Sequence, residues 1–305
     1  MVKLKTYIIV AFAGMAVLFS ACSNSENNNN VEDQIDASID STDNAKENVV
    51  QNLNKAKQVF YSLPSPIETA MLMKRAGAKY NEEFLNSIDN LPNYTTTKSM
   101  ALNLGIYSAD LSFASMFDQS QASVKYLSAT KKLADNLGIL NAVEQSTVKR
   151  MENNVNNRDS LMEIISETLM NSNSFLKEND RAEVAALILA GGWIEGLYIG
   201  TKIAQNTEDN AELINRIIDQ RLSLKTLMSL LKEYQSSEDV KSVYNDFERI
   251  QELYNKVEVS TSKIENVKTE DGKSTLKSET KASISDEVFA ELCKVVDEIR
   301  NNMTK

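Results

Sequence analysis

Two acids lie inside long apolar stretches of this 305-residue chain, and they are its clearest candidates for chemistry. Asp110 sits in residues 101–117, ALNLGIYSADLSFASMF, and Glu195 in residues 184–200, VAALILAGGWIEGLYIG. A carboxylate in such surroundings needs hydrogen bonds, a cation or a proton. One reading is structural, with each acid met by a Tyr, Lys or Arg from a neighbouring helix. The other is a polar pocket lined by Tyr107, Asp110, Trp193, Glu195 and Tyr198, an aromatic-walled ligand site between helices. Paired carboxylates could also serve acid–base chemistry or a hard cation, but no ordered ligand spacing accompanies them. The chain has no histidine, which removes Ser-His-Asp and Cys-His catalysis, His-ligated zinc and the Glu-x-x-His di-iron pattern. The expectation is therefore a protein that is not an enzyme and uses no metal and no cofactor.

The elements that must carry these residues are helices. With 9 Gly and 3 Pro, a turn-rich β architecture is disfavoured, and the apolar spacing has a helical period from residue 45 onward. Val49, Leu53, Ala56 and Phe60 mark a first helix ending near Leu63-Pro64, and Ser65-Pro66-Ile67-Glu68 reads as a capping box with Pro at the first helical position. Asp118 and Asp180 read as further N-terminal caps and Gly138 as a C-cap. The pattern predicts helices over 95–117, 119–137, 142–155, 158–178, 182–205, 209–234, 237–257 and 286–301. Short connections make an antiparallel multi-helix bundle, an all-α fold.

A helix apolar on every face belongs at the centre of such a bundle, so the segments holding Asp110 and Glu195 are expected there. A membrane span is the competing reading of the second, disfavoured by its central Glu195. Gly105, Tyr107 and Leu111 can be laid over Gly191, Trp193 and Leu197, with the acids one place out of step, the mark of an internal duplication or a coincidence of apolar composition. Gly192, Gly196 and Gly200 form a smooth stripe for close helix approach, or the wall of a ligand site. Residues 258–284 break the pattern. Asp271-Gly272 between Val267 and Leu276 is a hairpin signal, with a long loop as the alternative. Cys293, among Phe289, Leu292, Val296 and Ile299, reads as a small buried hydrophobe.

Residues 1–22 speak to location. Lys3 and Lys5 precede an apolar run over residues 7–19, too short and too soon polar for a settled transmembrane helix. Ser20-Ala21-Cys22 follows, and the whole resembles a bacterial lipoprotein signal peptide with its lipobox, although Phe19 stands where Leu is usual. The resemblance implies cleavage before Cys22 and acylation of its thiol. Each buried methylene of an acyl chain contributes about 0.8 kcal/mol, so two chains hold a protein stably. Removing residues 1–21 takes away two lysines and no acid, so the net charge falls from −10 to −12. A negative surface argues against nucleic acid as a partner. Residues 22–44 read as the lipidated cysteine and a polar tether, spanning roughly 25 Å. Residues 45–305 form one helical domain.

Leu63-Pro64-Ser65-Pro66, residues 101–111 and residues 191–198 together resemble Bacteroidetes-type outer-membrane lipoproteins with an all-helical domain of unknown function. That resemblance implies a lipid anchor and a helical fold and supplies no catalytic residue. By the same analogy Ser23, in place of Asp, implies release to the outer membrane, with the cell surface and the periplasmic face both open. The expected role is a non-enzymatic binding or envelope-assembly accessory with an envelope protein as partner. The alternative is a small-ligand binding protein.

Overall fold

In a computed structural model of the chain, the described residues are 79–140, 145–208, 210–261, 265–268, 274–277 and 280–305. The lipobox, the tether, the first expected helix and the Ser65 capping box lie outside them. Two 3-10 turns, Glu82–Phe84 and Ile88–Asn93, lead into α1 (Thr97–Met116), α2 (Ser120–Asn136), α3 (Gln145–Asn153), α4 (Arg158–Glu178), α5 (Ala182–Gln205), α6 (Ala211–Glu233) and α7 (Glu238–Tyr254). Four short strands follow, then α8 (Asp286–Met303). The fold is an all-α multi-helix bundle. Its two apolar helices, α1 and α5, pack on each other and are central: α2, α4 and α8 also pack on α1, and α4, α6, α7 and α8 on α5.

Local chemistry sets the helix ends. At the start of α1 the Ser99 N–H donates to Thr96 Oγ1 and the Thr96 N–H donates to Ser99 Oγ, both at 3.1 Å, a reciprocal cap. Asn157 caps α4 and Ser285 caps α8 through their side-chain oxygens. Asp118 and Asp180 act differently from the expected N-terminal caps. Each adopts a left-handed backbone (φ 58° and 55°), as does Gly138 (φ 69°), one residue past the cap that closes the preceding helix. The residue after each then donates its N–H back into the last turn: Gln119 to Ala114, Ile139 to Ala134 and Arg181 to Leu176, at 2.7–2.9 Å. These carbonyls would otherwise lack partners. The N-cap places belong to Gln119 and Arg181, which make no side-chain cap bond.

The central crossing is set by glycine, but not by the stripe of Gly192, Gly196 and Gly200. A Cβ added to Gly105 would lie 2.0 Å from the Ile188 carbonyl oxygen, and one on Gly191 would lie 2.0 Å from that of Leu102. The backbones of α1 and α5 therefore touch at Gly105 and Gly191, with Gly192 close by. Nothing lies within 4 Å of a Cβ on Gly196, and Gly200 has only ordinary contact with Ile217. The crossing is also reciprocal: Gly105 meets the residue three before Gly191, and Gly191 meets the residue three before Gly105. That two-fold relation is what a duplicated helix pair would leave, and each central helix is followed by one packed against it, α2 and α6.

Within residues 258–284 the described residues form two antiparallel strand pairs. β1 (Glu258–Thr261) pairs antiparallel with β4 (Thr280–Ser283), from Glu258↔Ser283 to Thr261↔Thr280. β2 (Glu265–Lys268) pairs with β3 (Ser274–Lys277), from Glu265↔Lys277 to Lys268↔Ser274. The hairpin reading holds for the paired strands, while Asp271-Gly272 lies outside the described residues. Cys293 is buried on the apolar face of α8, as expected, and burial pushes its thiol up to about 11.

Candidate functional site

Glu195 has its partner. Arg300, near the end of α8, holds both carboxylate oxygens, with Nε donating to Oε2 and Nη2 to Oε1, each at 2.8 Å. Arg300 Nη2 also donates to the Phe84 carbonyl at 3.4 Å, and the guanidinium lies 4.4 Å from the centre of the Tyr198 ring. Glu195 is 0% exposed and Arg300 6%. A pair so placed is kept charged by fork-to-fork geometry and by the ring beneath it. Burial opposes the charge on Arg300, but the bond and charge of Glu195 prevail and hold the guanidinium above its ordinary range.

Asp110 reaches the same place from α1. The Asn86 N–H donates to its Oδ2 at 3.2 Å, while Oδ1 has no donor. Burial, then the charge of Glu195 and a hydrogen bond to it, raise the Asp110 carboxyl well above the ordinary carboxylate range. The shift favours the protonated form of Asp110 beside the Glu195 carboxylate. With Asp110 protonated, the guanidinium and the Glu195 carboxylate balance, the condition under which titratable groups survive burial.

A layer of amides and phenols surrounds the triad. Tyr107, burial of which pushes its phenol up, donates to the Ser87 carbonyl at 2.9 Å. Asn86 donates to Tyr94 and Asn103, at 2.9 and 3.2 Å. Asn103 in turn donates to the Met303 carbonyl and Tyr94 to that of Thr304, at 2.9 and 3.1 Å. The last carbonyls of α8, which have no partner within the helix, are thereby tied to α1 and to the turn before it.

Of the five residues singled out from sequence, Asp110, Glu195 and Tyr198 come together around Arg300, and Tyr107 lies in the surrounding layer beside Tyr94 and Tyr126. Trp193 does not join them. It faces α6 and α7, its indole N–H donating to Ser223 Oγ at 2.9 Å and its ring tilted against Phe247 at 5.4 Å. All five are buried, and the described cavity beside the two central helices is lined by none of them. Where the expectation was an aromatic-walled pocket, the described residues form a buried polar cluster joined by Arg300. Arg300, Asn86 and Asn103 escaped sequence reasoning. A signal existed for the first: Arg300 continues the stripe Leu292, Cys293, Val296 and Ile299, and a charge on an apolar face announces a buried partner. Among the described residues no group of three or more Cys, Asp or Glu side chains could hold a metal.

The cavity lies on the other side of the crossing. It has a volume of about 90 Å3 and is walled by α1 to α5, with Leu104, Leu111, Met151, Ile165, Leu176 and Ile188 among its lining. Helix α5 is long and apolar enough to cross a membrane by length and composition, but most of it is buried inside the bundle.

Searches of the chain against protein-family models, curated proteins and solved structures return no match.

Proposed function

We propose that the chain is a lipid-anchored extracytoplasmic protein, held in the outer membrane through Cys22, whose helical domain acts without catalysis as a binding or envelope-assembly accessory. The closure of the Asp110–Glu195–Arg300 cluster carries the non-catalytic reading. Glu195 and Arg300 pair with each other, and Asp110 lies beside them, all out of reach of solvent. The anchor rests on the residue types around Cys22, and the acidic balance of the chain favours a protein partner over nucleic acid.

Fractionation joined to cross-linking in intact cells tests this. The wild type should stay with the membrane until detergent is added and cross-link to an envelope protein, and Cys22→Ser should abolish acylation. A wild-type protein without acyl chains would sink the anchor. Turnover of a substrate that is lost in Glu195→Gln at unchanged folding would sink the non-catalytic reading.

A second reading, a small-ligand binding protein, is favoured by the cavity on the α2–α4 side of the crossing. A ligand mass retained through purification and lost when that cavity is filled would establish it, and no retained mass would count against it.

A further inference from the structure

The cavity has a chemistry of its own. Three of its four hydroxyls are engaged within their own helices: Ser108 donates to the Leu104 carbonyl, Thr130 to Leu127 and Thr168 to Ile164, at 2.7–2.9 Å, while Ser172 is the fourth. The rest of the wall is almost wholly aliphatic, so the interior offers a guest little beyond apolar contact. An apolar cavity of about 150 Å3 stays dry and takes up benzene or xenon. At about 90 Å3 this one suits a narrow chain of a few carbon atoms rather than a ring system.

The way in is charged. Lys131 also lines the cavity, yet its side chain is 48% exposed, so the cavity meets solvent beside it. Its ammonium pairs with Glu152 of α3 at 3.2 Å, across the gap between α2 and α3. Arg150, also on α3, pairs with Glu167 of α4. Exposed pairs of this kind are weak and exchange readily with other anions. Helices α2 and α3 carry Lys125, Lys131, Lys132, Lys149 and Arg150 against only Asp135 and Glu152, an excess of cations in a chain whose net charge is −10. We infer that the cavity between α1 and α5 and the α2–α4 layer binds the tail of a short single-chain carboxylate, with Lys131 exchanging Glu152 for its headgroup. The inference rests on the small-ligand reading and adds the site and the chemical class.

The probes are pentanoate and pentanol, titrated calorimetrically into the full chain in lipid nanodiscs, with empty nanodiscs subtracted. Pentanoate should saturate one site and bind about tenfold more tightly than pentanol, the worth of one hydrogen bond to a charged group. Lys131→Gln should remove that difference. Ala134→Leu, and independently Ser172→Leu on another wall, should abolish both without lowering the melting temperature. Equal binding of the two probes by the wild type overturns the carboxylate class. Binding that survives both filling variants overturns the site. No binding of either probe overturns the inference. A different small mass, retained in native mass spectrometry and lost in Ala134→Leu, would still leave the small-ligand reading standing.

Discussion

Asp110 is an acid whose protonated form the fold favours. Its carboxyl is raised by burial and by Glu195, so the folded state holds a proton that the unfolded chain releases near pH 4. A group raised in this way costs nothing below the unfolded value, and stability is lost as pH climbs from there toward the folded value. Asp110→Asn reproduces the neutral acid, with an amide oxygen for the Asn86 N–H and an amide N–H for Glu195. The melting temperature of Asp110→Asn should equal or exceed that of wild type near pH 4, and its advantage should grow toward pH 8. A variant less stable than wild type at pH 8 would mean that Asp110 is ionised in the fold. Arg300 tests the opposite side of the cluster. Arg300→Met leaves Glu195 charged and alone in the interior, a loss of about 3–5 kcal/mol, whereas Glu195→Gln with Arg300→Met should recover a large part of it in denaturant unfolding. An additive double variant would deny the coupling.

At the scale of elements, the central helices are held by what their glycines lack. Gly105→Ala puts a methyl group 2.0 Å from a backbone oxygen that cannot yield without parting α1 from α5, and should cost about 3 kcal/mol or more. Gly196→Ala meets nothing within 4 Å and should gain about 0.5–1 kcal/mol through helix propensity. Thermal melts of the two variants should move in opposite directions, and a harmless Gly105→Ala would refute the close crossing. Much of this level was legible in the sequence. Residues 158–178 and 182–205 were expected as helices and are α4 and α5, because apolar period and capping chemistry are local. The close-approach glycines were misassigned, since regular spacing along one helix does not say which face the other helix meets. Asp118 and Asp180 were misread for a related reason: an Asp between two helices can close the first or open the second, and the left-handed backbone that decides it is invisible in residue type.

For the whole molecule, the interior charge balance joins distant parts of the chain. Glu195 and Arg300 are 105 residues apart, and Asn103 reaches the Met303 carbonyl 200 residues on. No local pattern carries such pairings, which is why the acids were found from sequence and their partner was not. The result is a domain whose polar core is closed on itself, which leaves its surface, the proposed anchor and the cavity on the α2–α4 side of the crossing as the places to look for its role. The measurement that tests this most directly is native mass spectrometry of the protein released gently from its own membrane. The predicted result is a chain starting at Cys22 and carrying acyl chains, co-released with an envelope protein or with a small apolar acid that Ala134→Leu expels. An unacylated chain that still begins at residue 1 and carries neither companion would contradict it.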